Sequence, residues 1–253
     1  EEFKSMARNA FVIIDMQQDF NVPGAPFRVD CGLHALPYIK KALEATRKSN
    51  VPVFHVFRYY RKNGADCEIT RYDAYKSKDF HGCCIGEKGA EILEHGEPEI
   101  NGEGWENLSI KPIKGEYTIV KQRWSAFFNT ELDLILRRLQ VRQVILTGVQ
   151  TPNCIRGTVW DANSLDYEVI VLTDATDAKT PEVHQANLFD MKNIGIKMMT
   201  TDEYCAILEK DPDGPEATFQ DRQRAEIESC KYVPEPEDMY EYVKFHGEYN
   251  FVK

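Results

Sequence analysis

An α/β fold is predicted: a three-layer αβα sandwich around a six-stranded, mainly parallel sheet, with a C-terminal extension. Three observations predict it. Short runs of β-type residues alternate along the chain with segments that carry apolar residues at helical spacing. The β-type runs are apolar almost throughout, as expected of strands covered on both faces. The chain has 253 residues, 42% of them hydrophobic, enough for one large domain with an appendage.

Each element has its own justification. "AFVIID" (10–15) reads as the first strand and "VPVFHVFR" (51–58) as the second, with a helix over 33–50 between them. "YTIVK" (117–121) is the third strand. A helix over 129–140 follows, with Asn129 or Thr130 as its cap. "RQVILTGV" (142–149), "EVIVLTDA" (168–175) and "IKMMT" (196–200) are the remaining strands. Helices over 152–166 and 180–195 separate them, the latter with Pro181 near its first turn. Right-handed crossovers then give a doubly wound, Rossmann-like sandwich, whose site lies beyond the carboxyl ends of the strands. Residues 59–116 are too long for a plain connection and read as a lid or pocket wall with one short helix over 87–95. Residues 1–204 form the predicted domain. Residues 205–253 form a charged extension whose aromatic residues (Tyr240, Tyr242, Phe245, Tyr249, Phe251) suit docking on the chain's own core or a neighbour's.

Composition removes several function classes. The 31 basic and 41 acidic residues leave a net charge of −10 without a basic stripe, which disfavours nucleic acid and anionic membranes as partners. No apolar run approaches the roughly 20 residues of a membrane span. The first ten residues, "EEFKSMARNA", lack the pattern of a secretory signal. Seven cysteines without a CxxC pair fit reduced thiols in a cytoplasmic protein better than a disulfide framework. Zinc is not expected, on the reading that no two cysteines or histidines have ligand spacing.

Three predicted strand ends carry chemistry. Asp15 ends the first strand, Lys121 ends the third, and Cys154 follows the fourth where a helix begins. Singly, these read as a turn aspartate, a solvated lysine and a small buried thiol. Together at one sheet edge they form an acyl-transfer apparatus. The helix N-terminus and a nearby lysine favour a thiolate. The carboxylate can take the thiol proton and hand it to a leaving amine. Backbone N–H groups in "GVQTPNC" can hold an oxyanion.

The segments "VIIDMQQDF", "IVKQRWSAFFNTEL" and "ILTGVQTPNC", in this order and spacing, resemble the isochorismatase-like cysteine hydrolases. The resemblance covers about residues 10–204 and includes "TDATDAKTPEVHQANLFDMKNIG" (173–195). It implies a catalytic triad of Asp15, Lys121 and Cys154 and a cis non-proline peptide at Val149–Gln150 that aims amides at the oxyanion. It further implies hydrolysis of a C–N bond in a small amide or ureido compound, no cofactor, and a homodimer or homotetramer. Nicotinamidases of this family carry a metal-binding DxH motif after the second strand. Here that place reads "HVFRYYRKNGADCE", so neither nicotinamide nor a metal is expected, and His55 is expected in the core. Cleavage of the vinyl ether of isochorismate is the alternative chemistry, and a catalytically silent, ligand- or partner-binding member is another. Candidate substrate contacts are Arg58 (a carboxylate or ureido clamp), Tyr59, Phe20, Trp124, Gln150 and Asn153. "SAFF" (125–128) is expected to support the site without touching substrate.

Overall fold

The computed structural model describes residues 8–77 and 81–217. Its sheet has six strands: β1 (Asn9–Ile14), β2 (Val53–Arg58), β3 (Tyr117–Lys121), β4 (Gln143–Val149), β5 (Glu168–Asp177) and β6 (Lys197–Met199). Their order is β3-β2-β1-β4-β5-β6 and every ladder between them is parallel. The order reverses between β1 and β4, so a crevice opens beyond their carboxyl ends.

The helices are α1 (Gln18–Asn21), α2 (Leu36–Thr46), α3 (Tyr72–Lys76), α4 (Pro98–Asn101), α5 (Leu132–Arg138), α6 (Arg156–Ser164), α7 (Pro181–Asn193) and α8 (Thr201–Leu208). Side-chain alternation on β1 divides the core. Phe11 and Ile13 pack with Leu36, Ile39, Leu43, Tyr204 and Leu208, which places α2 and α8 on one face. Ala10, Val12 and Ile14 pack with Leu132, Leu136, Val159, Leu188 and Met191, which places α5, α6 and α7 on the other. Both faces of the central strands are therefore dry, the physical reason these strands read as unbroken apolar runs.

Four local expectations change. The helix expected over 129–140 begins at Leu132, because Asn129 takes a left-handed φ of 56° and Thr130 Oγ1 bonds the Ala126 carbonyl (2.6 Å). The helix expected over 152–166 opens with one π-helical turn, Thr151–Ile155, before α6. Residues 87–95 form only a 3₁₀ turn, Lys88–Ala90. Glu91 O instead accepts from Gln18 N and Leu93 N donates to Met16 O (both 2.9 Å), so extended backbone pairing with the segment after β1 replaces a helix. The charged segment expected from residue 205 starts later. Thr200 and Glu203 make a capping box for α8, and Asn9 Nδ2 bonds the carbonyls of Asp213 (2.7 Å) and Pro215 (2.9 Å). The first compact unit thus reaches Ala217. The five aromatic residues from Tyr240 to Phe251 lie outside the described residues. Among the described residues no helix is long and apolar enough to cross a membrane.

Candidate active site

Four neighbouring strands each deliver one group to the crevice. Lys121 ends β3, Arg58 ends β2 opposite it in register, Asp15 follows β1, and Cys154 follows β4. β2 separates the strands of Lys121 and Asp15, so its terminal arginine belongs to the cluster. Asp15, Lys121 and Arg58 have no solvent exposure and Cys154 has 4%.

Lys121 Nζ donates to Asp15 Oδ2 (2.7 Å) and to the Arg123 carbonyl (3.1 Å). Asp15 Oδ1 is buried without a hydrogen-bond partner. Asp15 is held at a left-handed φ of 53°, an uncommon conformation for a residue with a side chain. The end of β4 lies against it: at Gly148 (φ 106°) a Cβ would fall 2.0 Å from the Ile14 carbonyl oxygen, so only glycine fits that crossing.

Arg58 Nη2 lies 3.3 Å from Cys154 Sγ and 4.0 Å from Asp15 Oδ2. Its Nη1 donates to the Tyr60 hydroxyl (2.6 Å) and to Glu68 Oε1, and Tyr60 donates to Glu68 Oε2 (2.5 Å). Burial works against the Glu68 charge, but Arg58 and Tyr60 hold its pKa below the usual carboxylate value. Gln17 locks the backbone of Arg58: its Oε1 accepts from Arg58 N (2.7 Å), and its Nε2 donates to the carbonyls of Arg58 (2.9 Å) and Ala90 (2.7 Å).

A low thiol pKa at Cys154 is not what results. Burial pushes the thiol up and the adjacent Asp15 charge pushes the same way, against the pull of Lys121 and Arg58. The resting group is a thiol with a carboxylate beside it, so it needs a base at the moment of attack.

The peptide Val149–Gln150 is cis. The Gln150 carbonyl accepts from Asn153 N (3.1 Å) and Ile155 N (3.3 Å), winding the π turn that carries Cys154. Thr158 Oγ1 donates to the Cys154 carbonyl (2.7 Å) and accepts from Ala126 N (3.0 Å), tying α6 to the loop after β3. His184 fixes the other side of the turn: Nε2 donates to the Thr173 carbonyl (3.0 Å) and Nδ1 meets Thr151 Oγ1 (2.8 Å).

Beside the cluster lies a cavity of about 670 Å³ whose walls include Glu68, Arg123, Trp124, Ser125, Asn153 and Trp160. Of the expected site residues, Trp124 and Asn153 are in its wall, whereas Asp15, Arg58, Lys121 and Cys154 are not. Phe20 does not line the cavity; it is buried against Phe27 at a ring separation of 5.5 Å. Tyr59 stacks on Phe57 (5.8 Å), Val149 is buried in the core, and Gln150 is absent from the cavity wall. Arg58 was expected to be open to a substrate carboxylate, but Glu68, Tyr60 and Cys154 occupy its guanidinium. Within "SAFF", Ala126 and Phe127 are buried supports, whereas Ser125 and Phe128 line the cavity. His55 is in the core as expected, with 1% exposure and Nε2 at 2.8 Å from Glu116 Oε2. Sequence reasoning missed Gln17, Tyr60, Glu68 and Arg123. A polar Gln17 three residues after a buried strand, and Glu68 in the sequence between two aromatic segments, were the signals present.

This arrangement defines an α/β protein with a buried carboxylate, two cations and a thiol at its topological switch point. The isochorismatase domain family matches residues 9–203, and the chain belongs to that family. An Arabidopsis thaliana protein named "probable inactive nicotinamidase" is 41% identical over 196 residues, spanning 77% of this chain and 93% of that one. The ureidoacrylate amidohydrolase RutB of Agrobacterium fabrum is 26% identical over 216 residues, spanning 80% of this chain and 90% of that one. The crystal structure of an isochorismatase family protein from Desulfovibrio vulgaris superposes with a TM-score of 0.70 at 38% identity, over 80% of this chain and 99% of that one.

Proposed function

We propose that this family hydrolase is an amidohydrolase that cleaves a C–N bond of a small amide or ureido compound through a thioester on Cys154. The observation that carries the reading is the single buried cluster of Cys154, Asp15, Lys121 and Arg58. In the first half-reaction Asp15 Oδ1, which has no other partner, takes the thiol proton as Sγ attacks the substrate carbonyl. The C–N bond then breaks and the amine leaves with the proton from Asp15. In the second half, Asp15 accepts a proton from water as the hydroxyl adds to the thioester carbonyl. The C–S bond breaks, and the sulfur departs with that proton. Lys121, bonded to Asp15 Oδ2, holds the carboxylate in position, and Arg58 offsets the charge that appears on sulfur. Asn153, on the turn carrying the nucleophile and in the cavity wall, is the amide group available to orient the reacting carbonyl.

The reading has support in the amidohydrolase names among the relatives, and its test is a panel of small amides, ureido acids and isochorismate, following ammonia and pyruvate. Ammonia release that disappears in Cys154→Ala is expected. Pyruvate release would assign vinyl-ether cleavage instead. A second reading, a ligand-binding member without turnover, is favoured by the name of the Arabidopsis thaliana relative and by the 4% exposure of Cys154. Binding of a panel compound with no cysteine-dependent product would establish it.

A further inference from the structure

We propose that His81, Cys84 and Glu87 form a zinc site that braces the segment between β2 and β3, separate from the catalytic cluster. Their ligand atoms, one from each side chain, lie within 4.8 Å of one another. The three follow one another at intervals of three residues, so His81 and Cys84 do have a ligand spacing, contrary to the expectation of no zinc. A thiolate, an imidazole and a carboxylate make a donor set suited to Zn²⁺ and not to Mg²⁺ or Ca²⁺, which take oxygen ligands.

The sulfur is the fixed member. Cys84 has no solvent exposure, and its backbone is pinned beside Tyr60 by hydrogen bonds from Tyr60 N to Cys83 O (2.8 Å) and from Ile85 N to Tyr60 O (3.1 Å). Two polar atoms converge on Sγ, the Tyr75 hydroxyl at 2.7 Å and His81 Nε2 at 3.0 Å. The His81 ring is held against Tyr75 at a centroid separation of 4.7 Å. With zinc bound, Tyr75 donates to the thiolate and orients it, as outer-shell groups do.

The geometry asks for little movement. Bond lengths of about 2.3 Å to sulfur and about 2.0 Å to nitrogen at a tetrahedral angle put the two donors about 3.5 Å apart. The present 3.0 Å therefore opens by about 0.5 Å, which the half-buried His81 ring can provide. Glu87 is exposed, and its Lys62 partner at 3.5 Å is an open surface pair that yields readily. Cys31, His34 and Asp177 also come together, but none of those three is buried, so they lack a preset ligand.

The test uses the full chain, stripped with a chelator, titrated with zinc chloride and washed, with bound zinc measured by mass spectrometry. Cobalt(II) serves as a second probe through its thiolate charge-transfer absorption. One zinc per chain is expected, with a thiolate–cobalt band. Both should survive in Cys154→Ala and Cys31→Ser, whereas His81→Ala should weaken zinc at least tenfold and Cys84→Ser should abolish the band. Should Cys84→Ser fail to fold, the His81→Ala result decides alone. Absence of tight zinc in the wild-type chain, or zinc retained equally in His81→Ala, overturns the assignment.

Discussion

Replacing Asp15 by asparagine should move turnover and thiol reactivity in opposite directions. The side chain keeps its size, but the carboxylate that receives Lys121 Nζ at 2.7 Å loses its charge. Loss of the general base lowers kcat by about 10²–10⁴-fold. The thiol itself becomes easier to ionise. Burial, the larger cause of its raised pKa, stays as it is, but the Asp15 charge is gone while Lys121 and Arg58 remain. Alkylation of Cys154 by iodoacetamide at neutral pH should therefore be faster in Asp15→Asn than in the wild type. Lys121 is left as a buried cation without an opposite charge at Asp15's position, held by the Arg123 carbonyl at 3.1 Å and at most a neutral amide oxygen. Breaking a buried pair from one side costs about 3–5 kcal/mol. At about 2–4 °C per kcal/mol for a chain of this size, Tm should fall by about 6–20 °C. Steady-state turnover, alkylation followed by peptide mass mapping, and a thermal melt read all three. Unchanged turnover, or slower alkylation with the fold intact, would refute the assignment of Asp15 as the base beside a protonated thiol.

Three further outcomes follow from the same geometry. Gly148→Ala drives a Cβ to 2.0 Å from the Ile14 carbonyl at a φ of 106°, so strand spacing next to Asp15 must give; a loss of about 2–6 kcal/mol and of activity is expected, and a neutral thermal melt would contradict it. Trp124→Ala removes a 42%-exposed wall of the cavity and should raise KM about 5–50-fold with little change in kcat; an unaltered KM would place substrate elsewhere. His55 is held below its ordinary pKa, by burial first, with Arg47 adding to the effect and Glu116 opposing it. Its folded pKa is below its unfolded value of about 6.5, so it stabilises the fold above that pH and the contribution fades as pH falls through the folded pKa. Denaturant melts between pH 7 and 5 should show this loss in the wild type and a flatter profile in His55→Gln, and identical profiles would remove His55 as its source.

The sheet was legible because its cause is local. Strands dry on both faces must be apolar throughout, and "AFVIID", "VFHVFR" and "RQVILTGV" announce themselves by composition alone. Their carboxyl ends then point to one edge in any parallel arrangement, which brings Asp15, Lys121 and Cys154 together from sequence order alone. The capping box at Thr200 and Glu203 is equally local, a start signal for α8 legible in the sequence itself. Residues 87–95 differ for the opposite reason: their extended form depends on hydrogen bonds from Leu93 N to the Met16 carbonyl and from Gln18 N to the Glu91 carbonyl, about seventy residues apart in sequence.

What the sequence determined by itself is the parallel α/β architecture, the identity of the strand-end groups and the family to which they belong. These follow from residue periodicity and from chemistry placed at element boundaries. Only the tertiary structure decided that β2 lies between β3 and β1. That order inserts Arg58 beside the thiol, turns Glu68 and Tyr60 into its partners, and leaves the cavity to Arg123, Trp124 and Asn153. It also decided the direction in which the Cys154 thiol shifts, because burial and the distances to two cations and one carboxylate set the balance, and none of these is written along the chain.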